Sequence, residues 1–137
     1  MVGPSPHLSW RELRCGSGVE YPVEWRRDRA VALAWVFESI RVACGHVPIV
    51  VTSGYRTSQH NAAVAGARHS QHIEGRALDL QPPVGLTTEE FYRLIRGLAT
   101  EGSAIKGIGV YRGHVHIDVR PSARLVVWRA RGMDHRT

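Results

Sequence analysis

Cysteine is scarce in this sequence, and the two present, Cys15 and Cys44, are too few for a four-cysteine metal site. They admit at most one internal disulfide, and the sequence leaves open whether they pair or remain thiols. Long hydrophobic runs are missing. No stretch approaches the roughly 18 apolar residues that span a bilayer, so no membrane partner is expected. The opening segment MVGPSPHLSW has neither a basic nor an apolar region, so a secretory signal is not expected. The chain would then be made in the cytoplasm and reach an external substrate by lysis, by another secretion apparatus or in a virion. Lysine is nearly absent: Lys106 is the single lysine among 18 Lys and Arg, which with 12 Asp and Glu give a net charge of +6. The arginines are scattered, with short clusters at Arg26, Arg27 and Arg29 and near the C-terminus. No basic run is interleaved with stacking aromatics, so nucleic acid is not an expected partner. Repeats and low-complexity linkers are also lacking. One monomeric domain is expected over 1–137, long enough for a single core.

Local patterns lay out the elements. Ser9 and Glu12 form a capping box that opens a short helix through Cys15, followed by a loop over 16–27. A helix is predicted from an Asp28 N-cap to Ala43 or Cys44, with Ala30, Leu33, Phe37 and Ile40 on its buried side and Gly45 ending it. Ile49 to Ser53 is β-branched and reads as a buried strand. Thr57 caps a short helix through Ala65, and 66–75 is a polar, glycine-bounded loop. Arg76 to Gln81 alternates as a strand, stopped by Pro82 and Pro83. Thr87 and Glu90 form a second capping box, with Phe91, Leu94, Ile95 and Leu98 at helical spacing and Gly102 as the stop. Strands are expected at 108–111, 114–119 and 125–128. The expected fold class is α+β, with helices packed on a small, mainly antiparallel sheet.

Two segments carry chemistry. In His114-Val-His-Ile-Asp-Val119, strand alternation sends Val115, Ile117 and Val119 to one face and His114, His116 and Asp118 to the other. Two imidazoles on one strand face begin a metal site; the alternative is an exposed polar face. In Ser70-Gln-His-Ile-Glu-Gly-Arg-Ala-Leu-Asp79, His72 lies in a loop and Asp79 on the following strand, where small Ala77 leaves room beside the carboxylate. The alternative for Asp79 is a carboxylate neutralised by a nearby arginine, since an unpaired half-buried charge is costly. Together the segments offer two imidazoles and one carboxylate with a fourth position for water, the donor set of a catalytic zinc site.

Ser70-x-His72-x-x-Gly75-x-Ala77-x-Asp79 resembles the S-x-H-x-x-G-x-A-x-D signature of the M15-type zinc D-alanyl-D-alanine carboxypeptidases and related peptidoglycan peptidases. His114-x-His116 is similar to the accompanying H-x-H signature. Ser53-Gly-Tyr-Arg-Thr57, His60-Asn61 and the Gly66 loop resemble the preceding segment of that family, and the match runs from about Ile49 to Trp128. The resemblance implies the hedgehog/D-Ala-D-Ala peptidase fold and one zinc ion held by His72, Asp79 and His116. It implies His114 as the catalytic histidine and Arg56 as the arginine that meets a substrate carboxylate or anionic transition state. Some relatives carry a carboxylate three residues before the last ligand; Gly113 stands there, so that base is absent. Ser70 would bond within the site, and Asp118 would anchor a loop or a ligand's second nitrogen. His60 and His69 are expected along the cleft, and Trp128 in core or rim packing.

The expected activity is hydrolysis of a peptide bond in the peptidoglycan stem, by a carboxypeptidase or an endopeptidase, in a phage lysis, tail-associated or wall-remodelling enzyme. Other classes remain in view. One is a zinc-containing recognition domain without hydrolysis. Another is an iron oxygenase using His116, Asp118 and His135. A third is a basic nucleic-acid module.

Overall fold

In the computed structural model, which describes residues 2–130, helix starts are set by side chains that satisfy the first free N–H groups. α1 (Trp10–Leu13) and α4 (Thr88–Leu98) open with the complete Ser9/Glu12 and Thr87/Glu90 capping boxes. Thr57 caps α3 (Ser58–Ala63), its hydroxyl accepting from the His60 N–H at 3.0 Å. α2 (Arg29–Ala43) begins after Asp28 and ends where Gly45 enters the left-handed region at φ +87°. α4 stops at Leu98, short of Gly102. Gly97 weakens its last turn, and Ala99 turns inward and is buried. The stretch read as loop over 16–27 contains a 3-10 turn at Val23–Trp25.

Five strands, β1 (Val51–Ser53), β2 (Ala77–Leu80), β3 (Gly107–Tyr111), β4 (His114–Asp118) and β5 (Val126–Arg129), form one sheet in the order β1-β2-β4-β3-β5. Every neighbouring pair is antiparallel except β3 with β5. The class is therefore α+β, as expected. β1 differs from its expected form: it is an edge strand with an irregular register against β2, and Val50 and Thr52 are exposed. A strand paired on one side only is not enclosed, whatever its branching.

The sheet's two faces divide core from chemistry. Leu78 and Leu80 of β2, Ile108 of β3, and Val115 and Ile117 of β4 join Leu33, Phe37 and Ile40 of α2 and Phe91 and Ile95 of α4 in one core. The opposite face carries Asp79, His114, His116 and Asp118. No helix among the described residues is long and apolar enough to cross a membrane. Cys15 and Cys44 are both free thiols.

A cluster of Trp10, Tyr21, Trp25 and Tyr55, in tilted and edge contacts near 6 Å, sits behind the 70–76 loop. Buried Tyr21 donates its hydroxyl to the Gly75 carbonyl at 2.6 Å. Gly75 has φ +67°, and a Cβ there would meet the Trp25 ring at 2.5 Å, so both conformation and space require glycine. Tyr21→Phe leaves that carbonyl buried without its donor. It is expected to destabilise the fold by about 1–3 kcal/mol, read from the midpoint of urea unfolding.

Candidate metal centre

The register of β2 against β4 places Asp79 directly opposite His116, so strand pairing alone brings carboxylate and imidazole together. His72 arrives from the loop. Its N–H is held by the Ser70 hydroxyl at 3.1 Å and its carbonyl accepts from the Arg56 N–H at 3.0 Å. The loop is fixed further by Tyr21 on Gly75 and by Arg29, which donates to the Glu74 carbonyl at 2.7 Å. His72, Asp79 and His116 are all buried, and one donor atom from each lies within 4.8 Å of the others.

The tautomers show what this arrangement is for. His72 Nδ1 lies 2.6 Å from the Gly54 carbonyl, which only accepts, so Nδ1 carries the proton. A neutral His72 therefore turns the Nε2 lone pair toward Asp79 Oδ1, 3.0 Å away. His116 Nε2 lies 2.8 Å from Asp118 Oδ2, a carboxylate that also accepts, so a neutral His116 turns its Nδ1 lone pair toward the same Asp79 oxygen at 3.1 Å. Lone pairs from three side chains converge where only a cation can sit between them. Donor atoms at the corners of a zinc tetrahedron stand roughly 3.3 Å apart for bonds of about 2.0–2.1 Å, close to the 3.0 and 3.1 Å between Asp79 Oδ1 and the two ring nitrogens. Two imidazoles and a carboxylate thus fit a divalent ion with one coordination position left over.

Electrostatics follow from the same contacts. Burial pushes the His72 pKa down, more than Asp79 pushes it up, so the ring is neutral at pH 7. Burial alone would raise the Asp79 carboxyl, but hydrogen bonds and charge from His116 and His72 hold it well below the usual carboxylate range. Burial would lower His116 as well; Asp118 and Asp79 outweigh that and raise it, so without a metal ion the ring holds a proton more readily, and a bound cation would take that proton's place. Asp118 is fully buried, and Arg120 grips it through Nε at 2.8 Å and Nη2 at 2.7 Å. Arg120 and His116 overcome the burial term and keep this carboxyl at about 2. The pairing of His116 with Asp118 also answers the oxygenase reading. Asp118 bonds the nitrogen of His116 that does not face Asp79, so the two are not co-ligands of one ion. His135 lies outside the described residues.

Arg56 sits against the site. It donates to Ser53 Oγ at 3.1 Å, Asn61 Oδ1 at 3.2 Å and Asp79 Oδ2 at 3.3 Å. The arginine-paired reading of Asp79 therefore holds together with the metal geometry: Oδ2 meets Arg56, and Oδ1 meets the two histidines. Buried Asn61 links Arg56 to the next loop by donating to the Ala67 carbonyl at 2.9 Å. His114 is half-buried, with Nε2 3.7 Å from Asp79 Oδ2, and burial pushes its pKa down. These groups line a cleft of about 300 Å³ whose far wall includes His69, Tyr111, Arg120 and Trp128.

One outcome corrects the sequence reading. His60 does not line this cleft; it lies in a separate groove beside Cys15 and Gly16. Trp128 packs at the cleft rim, its ring 5.2 Å from that of His116. Tyr111 and Arg120 join the cleft wall without a motif to mark them. Carrying the alternation of β4 two residues further places Arg120 on the face of His116 and Asp118, and the hairpin places Tyr111 opposite His114. Gly107 and Gly109 of β3 make room on this face. A Cβ at Gly107 would collide with the Asp118 carboxylate, and one at Gly109 would meet the Trp128 ring at 2.6 Å.

Comparison with known proteins agrees with the site. A family model described as Peptidase M15 matches residues 6–118. The chain is 33% identical over 113 residues to the zinc D-Ala-D-Ala carboxypeptidase of Streptomyces albus G, a match taking in 79% of this chain and 42% of that protein. The chain thus spans well under half the length of this curated relative. The family match begins ahead of the motif-bearing segment and stops at the end of β4, so β5 and Trp128 lie beyond it.

Proposed function

The chain belongs to the peptidase M15 family, and on that premise we propose that it is a zinc-dependent peptidase that hydrolyses a peptide bond in the peptidoglycan stem. The observation that carries this reading is the convergence of His72 Nε2, Asp79 Oδ1 and His116 Nδ1, with both tautomers set from behind. All three ligands come from one chain, so no second copy is needed to complete a site for one ion. The named activity of the Streptomyces relative, a D-Ala-D-Ala carboxypeptidase, supports the stem peptide as substrate.

His72, Asp79 and His116 would hold the ion, with the Gly54 carbonyl and Asp118 keeping the ring protons on the nitrogens turned away from it. Zinc bound there would supply Lewis-acid chemistry, acidifying water and polarising the scissile carbonyl. His114 does the proton work. Its lowered pKa leaves the ring neutral at pH 7, able to take a proton from the attacking water and deliver it to the leaving amine. Arg56 has five N–H donors, three of them engaged by Ser53, Asn61 and Asp79. The remaining two serve a substrate carboxylate or the developing oxyanion.

Digestion of purified wall fragments by the zinc-loaded protein tests the proposal. Free D-alanine identifies a carboxypeptidase, and separated stems or opened cross-links identify an endopeptidase. Intact peptides that nonetheless bind the protein overturn catalysis in favour of a recognition domain. Asp118→Asn is expected to weaken zinc binding roughly 10- to 100-fold, the usual effect of altering the partner behind a ligand histidine, as read by competition with a chromophoric chelator.

A further inference from the structure

Three imidazoles gather around Asp79, and two of them are oriented by hydrogen bonds at their second nitrogen. His72 is held by the Gly54 carbonyl and His116 by Asp118. His114 has no such partner among the described residues. Its Nε2 lies 3.7 Å from Asp79 Oδ2, beyond hydrogen-bond range. It also stands at the first position of β4, beside the two-residue turn Arg112-Gly113, where strand pairing ends. A proton-transferring histidine needs a third group to orient it, and rotation about its ring-bearing bond is otherwise broad.

The structure supplies a different device. Tyr111, paired with His114 across the hairpin, lays its ring flat on the imidazole, with centroids 4.7 Å apart and planes 5° from parallel. Trp128 Nε1 donates to the Tyr111 hydroxyl at 3.0 Å, fixing the outer end of that ring. Trp128 is held in turn. It lies across the space left open by Gly109, with the Arg120 guanidinium 5.2 Å from its ring centre, and Arg120 is locked onto Asp118.

We propose that Tyr111 and Trp128 form a clamp that holds the His114 ring in its working orientation by stacking, in place of a hydrogen bond. Tyr111 is thereby a positioning residue, and the inference rests on the peptidase reading given above. The clamp joins the proton-transferring histidine to the residues behind the metal through Trp128 and Arg120.

Tyr111→Leu removes both the flat ring and the hydroxyl, whereas Tyr111→Phe keeps the ring. The leucine variant is expected to lose roughly 10- to 100-fold in kcat, the range for a displaced catalytic group, with KM and zinc affinity unchanged. The phenylalanine variant is expected to recover most of kcat. Proton NMR provides a readout independent of turnover: stacking shifts the His114 ring protons upfield in the wild type and in Tyr111→Phe, and Tyr111→Leu abolishes the shift. Wild-type kcat in Tyr111→Leu overturns the clamp, and so does an unchanged His114 shift. A parallel fall in zinc affinity also overturns it, because it marks a general structural role. If the wild type cuts no wall peptide, the peptidase reading fails, while the NMR shift still decides whether the clamp exists.

Discussion

His116→Ala is expected to leave the protein folded, free of zinc and inactive. The physical case rests on what one ligand is worth. Structural zinc sites bind with about 10–16 kcal/mol over four ligands, so one imidazole accounts for on the order of 3 kcal/mol, or about a hundredfold in affinity. Only three protein ligands are present here, so the remaining pair, His72 and Asp79, would also lose the geometry that selects the ion. The fold should survive. Asp118 and Arg120 keep each other paired through two hydrogen bonds, so no buried charge is stranded when the imidazole leaves. Zinc content after dialysis, measured beside wall-peptide digestion and a urea unfolding curve, checks all three parts. A variant that keeps one zinc per chain removes His116 from the ligand set.

His114→Ala should behave in the opposite way: full zinc content, with kcat reduced by about 10²–10⁴, the usual contribution of a positioned proton-transfer group. His114 lies close to the ligand cluster but outside it. Its Nε2 is 3.7 Å from the Asp79 oxygen that meets Arg56, not the oxygen that faces the other histidines. The variant removes no partner of His72 or His116. Metal analysis and single-turnover digestion together check it. Normal turnover would show that another group moves the proton, and a loss of zinc would make His114 part of the metal's support.

Much of the site was legible because strand periodicity is strict. His114, His116 and Asp118 share a face for the same reason that Val115 and Ile117 share the other, and Asp79 falls beside His116 once β2 pairs with β4. The capping boxes at Ser9 and Thr87 marked helix starts because they are local chemistry. What escaped depends on partners distant in sequence. Trp128 reaches His116 only because β5 pairs in parallel with β3 and Gly109 leaves space, and neither fact is written near residue 128. An arginine beside Asp79 is foreseeable from the cost of a buried charge, but that it is Arg56 depends on the approach of the turn after β1 to β2. His60 missed the cleft because α3 turns it toward Cys15 and Gly16. β1 was read as enclosed because branched residues suit a strand, but residue type does not reveal an edge.

Anomalous diffraction at the zinc edge, from crystals of the protein loaded with one equivalent of metal, addresses the ion's position directly. The account predicts a single strong peak between His72 Nε2, Asp79 Oδ1 and His116 Nδ1, with His114 beside it and not bonded to it. A peak elsewhere, or those three side chains turned away from one another around an empty centre, would contradict it.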